Sequence, residues 1–217
     1  VGFSYFYDED RLDEQTTHKT DGGDVVVGIT FGVFDTLDVI VGLPYVWYRQ
    51  EENNVRIASE NGISDITFDV KWRIFEKDGW SLAVKPGGRL PTGNEDKGLG
   101  AGRTGLRLFL VGTKELNPFA VHVNAGYIVH DNNTGLRKDL WHASVACEVE
   151  VLKDVKLMAN AGMERNPDPA SNNHPAFAML GVSYNVSEKI TLDAGIKYGV
   201  TSTETDWTGL AGMTSRF

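Results

Sequence analysis

Apolar and polar residues alternate along most of the chain. Over residues 119–129 the odd positions carry Phe, Val, Ala or Tyr, whereas the even positions include His122 and Asn124. The same period of two recurs over residues 190–198, where Asp193 lies on the polar side. A period of two predicts β-strands that have one apolar and one polar face. Strands of about ten residues are long enough to cross a bilayer when they are tilted.

About twelve such segments follow one another without a linker or a low-complexity stretch, which predicts a single domain over residues 1–217. The links alternate in length: 35–37 and 76–79 are short, whereas 51–61 and 93–102 are long. Outer-membrane barrels combine an even number of antiparallel strands with short periplasmic turns and longer extracellular loops. We therefore predict an all-β fold, a transmembrane antiparallel up-and-down β-barrel with both termini periplasmic. The predicted strands span approximately residues 2–8, 24–34, 38–50, 65–75, 80–91, 103–114, 118–130, 140–152, 155–165, 176–186, 190–201 and 207–217.

All five tryptophans lie on the apolar side of their segments, near the segment ends. Amphipathic rings collect where the strands of a membrane barrel cross the two headgroup layers. The alternative is an antiparallel sandwich or a soluble barrel, which would bury its tryptophans at mid-strand. The tryptophan pattern favours the membrane barrel. The predicted membrane-interface girdle comprises Trp47, Tyr127, Trp141 and Trp207 at the outer interface and Trp72, Trp80, Phe119, Tyr184 and Phe217 at the inner one.

In such a barrel the polar side of each strand lines the lumen. Basic residues cluster on the fourth to sixth predicted strands and acidic residues on the eighth and ninth, so the two signs are expected to face each other. A transverse field of this kind orients dipolar solutes and tunes ion selectivity. Charge pairs that block the lumen are the alternative, because about twelve strands lie between a packed and an open barrel. The predicted lining residues are Asp69, Lys71, Arg73, Lys85, Arg89, Arg107, His122, His142, Glu148, Glu150, Lys156, Glu164, Asp193 and Lys197.

The composition narrows the class of protein. A net charge of −9 argues against a nucleic-acid partner, because phosphates select basic surfaces. The single cysteine, Cys147, excludes an internal disulfide. No secretory signal starts the chain, so we expect a signal peptide to precede Val1. Whether a further N-terminal segment of the mature protein also precedes Val1 is left open. The first long loop is acidic, which indicates solvation or, as the alternative, divalent cations that bridge to lipid headgroups; its acidic residues are Asp8, Glu9, Asp10, Asp13, Glu14 and Asp21.

Two patterns typical of enzymes are weak in this chain. Gly100, Gly102 and Gly105 match G-x-G-x-x-G, but they precede another alternating strand instead of a helix. His142 and Ser144 resemble a lipase pair, but both lie on the inward side and no nucleophile elbow surrounds the serine. The histidines lack the spacing of metal ligands. We therefore predict no catalytic residue, no metal and no cofactor.

Short motifs distributed over most of the chain resemble the meta-pathway phenol-degradation family of bacterial outer-membrane β-barrel proteins. They lie at residues 42–45, 64–66, 71–73, 90–93, 97–100, 114–116, 126–127, 192–195 and 215–217. The resemblance implies a transporter-like barrel in the bacterial outer membrane that takes up small solutes, including small aromatic or hydrophobic compounds. We therefore predict a porin-like channel with a charge-lined lumen. Its partners would be outer-membrane lipid and a small-molecule solute, and a homo-oligomer or a protein partner is left open. The alternative is a closed scaffold barrel that binds a partner through its loops or its periplasmic rim.

Overall fold

The computed structural model describes residues 1–11 and 16–217, so Asp13 and Glu14 of the predicted acidic loop lie outside the described residues. None of the helices in the described part of the chain is long and apolar enough to span a membrane. A single turn of 3-10 helix, Glu95–Lys97, lies in the long loop 90–104. The strands are β1 (Gly2–Arg11), β2 (Thr17–Phe34), β3 (Leu37–Glu52), β4 (Val55–Ile63), β5 (Thr67–Lys77), β6 (Trp80–Arg89), β7 (Gly105–Glu115), β8 (Phe119–Val129), β9 (Asp139–Leu152), β10 (Val155–Glu164), β11 (Ala176–Ser187), β12 (Ile190–Gly199) and β13 (Trp207–Ser215).

The strands form one closed antiparallel barrel. From β5 onward each strand pairs with the next in the chain, and β1 pairs with both β2 and β13, which closes the sheet. Strand β3 has two partners on one side: it pairs with β5 as far as Gly42 and with β4 from Tyr45 onward. Strands β4 and β5 occupy the same side of β3 at different heights and so count as one strand of the barrel. The thirteen described strands therefore make a 12-strand barrel. The predicted barrel and its strand number are confirmed.

The tight turns follow from local backbone preferences. Asn53 and Asn54 have φ values of 51° and 64°, and Asp78 and Gly79 have φ values of 51° and 74°. Two consecutive residues of positive φ connect hairpin strands whose twist matches the turn. Asn, Asp and Gly tolerate this conformation best, so these dipeptides define the two hairpins.

The prediction of a long loop over residues 51–61 is wrong. In the structure β3 continues to Glu52, turns at Asn53 and Asn54, and returns as β4. This part of the sheet extends beyond the barrel and has charged residues on its faces, for example in the ion pair between Arg49 and Asp21, whose Nη2 and Oδ1 are 2.8 Å apart. Its sequence therefore lacks the alternation that revealed the other strands. As a consequence Trp47 lies well inside β3 and not near a strand end.

The apolar residues face outward. Among the described residues the buried apolar side chains are nearly all alanine, whereas large apolar residues such as Leu108, Leu180 and Tyr198 are about half exposed or more. The intervening positions face the interior and are mostly polar or small. An apolar outer face around a polar interior is the arrangement of an outer-membrane barrel, and it is the reverse of a soluble protein. We call the end with links 35–36, 78–79, 116–118, 153–154 and 188–189 the short-turn end, and the opposite end the long-loop end.

Candidate functional site: the barrel interior

One wall of the interior is basic around a buried carboxylate. Asp69 on β5 is 4% exposed and accepts hydrogen bonds from Arg107 on β7, at 2.7 Å from Nε and 2.8 Å from Nη2. Lys85 on β6 places its Nζ 3.2 Å from the same carboxylate. Two cations therefore share one anion, which leaves this group with an excess of positive charge. Gly87 makes the arrangement possible, because a Cβ at that position would overlap the Asp69 side chain.

Two more predicted lining residues of β5 differ in their partners. Lys71 is exposed and has no ion pair or hydrogen bond from its side chain among the described residues. Arg73 lies near the short-turn end, where its Nη1 is 3.1 Å from Glu76 and its Nη2 donates to the Asp35 carbonyl. Within the described part of the chain Lys71 therefore has no ion pair within 4.0 Å, and its cross-strand neighbour on β3 is Asp38.

A second carboxylate, Asp65, anchors the long loop 90–104. It is 4% exposed, and it accepts hydrogen bonds of 2.9 Å from the backbone N–H groups of Gly93 and Ala101. The Arg89 Nε lies 3.3 Å from the same carboxylate. Leu99 of this loop is buried, so the loop is folded back onto the barrel. Asp65 therefore fixes the loop at the long-loop end.

His130 follows β8 at this same end and contacts Arg89, with 3.4 Å between Nδ1 and the Arg89 Nη1. Burial lowers the pKa of the His130 imidazole, and the nearby guanidinium lowers it further. A neutral His130 beside Arg89 avoids two buried like charges. Arg89 also donates to the carbonyl of Asp131, so it connects β6 to two loops.

Acidic residues of the other wall are paired with neighbours on that wall. Glu148 on β9 lies 2.6 Å from the Lys156 Nζ on β10, and Glu164 lies 3.4 Å from the His142 Nδ1. Lys197 on β12 lies 2.7 Å from Glu204. The basic and acidic clusters therefore occupy different strands, as the sequence predicts, but many of their charges are balanced within each wall.

The remaining predicted lining residues have few contacts. The His122 Nδ1 is 2.9 Å from the Thr113 hydroxyl on β7. Asp193 faces Gly212, where a Cβ would lie 2.5 Å from both carboxylate oxygens. Glu150 is exposed near the short-turn end of β9, beside a register shift between β9 and β10.

Sequence reasoning missed two phenylalanines on the interior face, Phe109 on β7 and Phe177 on β11. Together with His142 on β9 they form a row that we call the aromatic stripe. The ring centroids of Phe109 and His142 are 5.9 Å apart, and those of His142 and Phe177 are 6.4 Å apart. Polar-side glycines on the intervening strands β8 and β10 were the available signal, because a large interior residue needs a small neighbour across the strand pair.

Cavities lie at both ends of the interior. A cavity of about 790 Å³ at the short-turn end is lined by Glu148, Lys156, Ser183 and Thr191, among others. A smaller cavity of about 370 Å³ lies at the long-loop end beside Leu99.

The predicted girdle residues lie on the outer face. Tyr127 is exposed, whereas Trp47, Trp141 and Trp207 are half-buried, and Trp207 packs against Tyr7 with ring centroids 6.2 Å apart. The aromatic residues predicted for the inner interface are exposed on strands that lead to the short-turn end, or lie at the end of the chain: Trp72, Trp80, Phe119, Tyr184 and Phe217.

Several solved structures share this fold at low sequence identity. The COG4313 outer membrane channel from Pseudomonas putida F1 aligns with a TM-score of 0.72 and 13% identity, covering 99% of this chain and 94% of that one. The translocator domain of the autotransporter NalP from Neisseria meningitidis has a TM-score of 0.64 and 15% identity, covering 100% and 87%. The KdgM porin in complex with disordered oligogalacturonate has a TM-score of 0.59 and 8% identity, covering 100% and 99%. At these identities the likeness shows an outer-membrane β-barrel fold.

No curated protein has a significant sequence match to the chain. A family model does match, over residues 7–217, which is nearly the whole sequence, and its description is "Putative MetA-pathway of phenol degradation". The resemblance seen in the short motifs of the sequence is thereby confirmed. The chain therefore belongs to this family.

Proposed function

We propose that this protein is an outer-membrane channel through which small solutes cross the membrane by way of the barrel interior. The observation that carries the proposal is a solvated polar interior within an apolar outer face. On β2, Gly28, Thr30 and Gly32 face the interior and are nevertheless exposed, and the cavity of about 790 Å³ opens at the same end. Water therefore has access to the interior from the short-turn end.

Orientation follows from the lengths of the links. In outer-membrane barrels the short turns are periplasmic and the longer loops extracellular. The short-turn end, with both termini of this chain, would then lie in the periplasm, and loop 90–104 would lie at the outer mouth. The partners would be outer-membrane lipid on the outer face and a small solute in the lumen. Two of the similar structures, a channel and a porin by their names, support transport.

Selectivity in this channel would come from the lining charges. Asp69 is already shared by Lys85 and Arg107, and Lys71 has no ionic partner among the described residues. The wall formed by β5, β6 and β7 therefore carries excess positive charge, which favours anionic solutes at that wall. Replacing Lys71 changes the charge of the lumen without leaving a buried carboxylate unpaired.

We further propose that transport involves no catalytic step, metal or cofactor. His142 does contact Ser144, with 3.2 Å between Nε2 and Oγ, and its other nitrogen faces Glu164. Ser144 lies in the middle of a regular strand and not in the strained turn that exposes a nucleophile. We assign these contacts to the hydrogen-bonded network of the wall.

Single-channel recording in planar bilayers tests the proposal, with wild type, Lys71→Glu and the control Lys189→Glu. Lys189 lies in a short turn and gives the same change of charge away from the lumen wall. We expect discrete current steps for all three proteins. The reversal potential in a salt gradient should move toward cation selectivity in Lys71→Glu and stay near the wild-type value in the control.

Silence of the folded wild-type protein at all voltages would overturn the channel and favour the alternative, a closed scaffold barrel that binds a partner. Current steps whose selectivity is the same in Lys71→Glu as in wild type would contradict the assignment of Lys71 to the conducting lumen.

A further inference from the structure

We propose that the aromatic stripe is a binding site for planar aromatic carboxylates inside the barrel. The inference names a solute class for the proposed channel, and it rests on that function only in requiring that a solute reaches the interior. Its three rings, Phe109, His142 and Phe177, come from the alternate strands β7, β9 and β11.

Glycines beneath the rings set their orientation. Gly126 on β8 lies under Phe109, where a Cβ would overlap the ring. Gly162 on β10 lies under Phe177, where a Cβ would be 2.7 Å from the ring Cζ. With no side chain in between, both rings pack directly against the backbone of the neighbouring strand. The ring planes of His142 and Phe177 are inclined by 26°, and those of Phe109 and His142 by 58°. Three neighbouring rings of this kind suit stacked or edge-to-face contact with another ring.

Positive charge lies at both ends of the stripe. Lys85 on β6 is the cross-strand partner of Phe109, and it belongs to the group in which two cations share Asp69. At the other end, the Lys197 Nζ is 5.7 Å from the Phe177 ring centroid and 2.7 Å from Glu204. The cation at the Phe177 end is balanced by a carboxylate, whereas the Phe109 end has an excess of positive charge. An anionic group is therefore favoured at the Phe109 end.

The ligand that fits both features has a planar ring next to a carboxylate. Its ring would stack on the stripe while its carboxylate lies near Lys85 and Arg107. A small aliphatic acid offers only the charge, and a neutral arene offers only the ring. Benzoate is the smallest probe that combines the two.

Equilibrium binding of benzoate to the folded protein in detergent micelles tests the site by saturation-transfer NMR titration. We expect Phe109→Leu and Phe177→Leu to weaken benzoate binding by about two- to tenfold, the range for loss of an aromatic pair. Lys85→Gln should weaken benzoate by about two- to fivefold and leave benzyl alcohol unchanged. Acetate and cyclohexanecarboxylate should bind more weakly than benzoate.

The matched control is Phe6→Leu. Phe6 lies on β1, on another wall, and its ring also faces a glycine, since a Cβ at Gly22 would be 3.0 Å from the Phe6 Cζ. Benzoate affinity should equal that of wild type. An equal loss in Phe6→Leu and Phe109→Leu, unchanged affinity in both stripe variants, or competition by acetate as strong as that by benzoate would overturn the site. Because binding is measured without conduction, a silent barrel that still binds benzoate at the stripe would refute the channel alone.

Discussion

Asp65 shows how much one side chain can decide in this barrel. Its carboxylate accepts the N–H groups of Gly93 and Ala101 and lies beside the Arg89 guanidinium. A buried donor left without a partner costs about 1–3 kcal/mol. The carboxylate is therefore one polar anchor of loop 90–104 to the barrel end, beside the contacts of Thr92 with Ser64 and Ile66.

We expect Asp65→Ala to release loop 90–104 while the barrel stays folded. In wild type Lys97 of this loop is held by an ion pair with Glu60, at 3.0 Å. In the variant, trypsin should cleave after Lys97 faster than in wild type, and mass spectrometry of the fragments measures the rate. The control Asp35→Ala changes an exposed carboxylate in a short turn and should leave the rate unaltered. Equal rates in both variants would show that Asp65 does not hold the loop.

At the scale of strands, interior glycines make room for large side chains of the adjacent strand. Gly162 on β10 is the clearest case, since a Cβ there would lie 2.7 Å from the Phe177 Cζ and 2.8 Å from the Ser144 Cβ. Gly112 on β7 lies instead on the outer face, where its cross-strand partners are the exposed Leu82 and Val123, and a Cβ there would have no heavy atom within 4 Å. The two glycines therefore differ in what they permit.

Gly162→Ala should consequently destabilise the barrel by about 1–3 kcal/mol, the usual cost of overpacking, whereas Gly112→Ala should be close to neutral. Urea unfolding of both variants in lipid vesicles measures the difference. If Gly162→Ala is as stable as Gly112→Ala, the Phe177 ring moves freely, and packing does not enforce the arrangement of the stripe.

Strand positions could be predicted wherever one face meets lipid. The predicted segment 118–130 corresponds closely to β8, Phe119–Val129, and 190–201 contains β12, Ile190–Gly199. Strand β4 was missed because its hairpin extends beyond the barrel and one of its faces contacts loop 90–104, so no lipid-facing side imposes a period of two. The point at which β3 stops pairing with β5 and begins to pair with β4 depends on hydrogen bonds between distant segments, which no local pattern records.

For the whole molecule, the outer face should tolerate charge least. Leu180 on β11 is 65% exposed on the outer face, near the middle of its strand. Leu180→Arg should destabilise the barrel in a bilayer by about 2–4 kcal/mol, the cost of Arg near the bilayer midplane. Denaturant unfolding in lipid vesicles gives the value.

Ser183→Arg is the control on the same strand, because Ser183 lines the cavity of about 790 Å³ at the short-turn end. A charge placed in that solvated cavity should cost much less than one in hydrocarbon. If the two arginine variants have the same stability in vesicles, the apolar outer face does not contact hydrocarbon.

The whole interior also shows what could be predicted of the candidate site. All the predicted lining residues were chosen because they lie on the polar side of their alternating segments. This alternation places Asp69, Lys85 and Arg107 on the interior face, where they meet. The anchoring role of Asp65 and the aromatic stripe were missed, because each depends on contacts made across strands or from a loop. The alternation along a strand shows which face a side chain lies on, but it carries no information about which residue lies beside it on the next strand.

The sequence by itself determined the fold class, the strand number and the direction of each face. The reason is that a bilayer requires apolar side chains outside and paired backbone groups throughout, and both requirements appear in the chain as a period of two. The tertiary structure alone decided which charges balance one another, where β3 exchanges β5 for β4, and how Phe109, His142 and Phe177 come together. Those contacts depend on the register between strands, and register is set by the closed barrel as a whole.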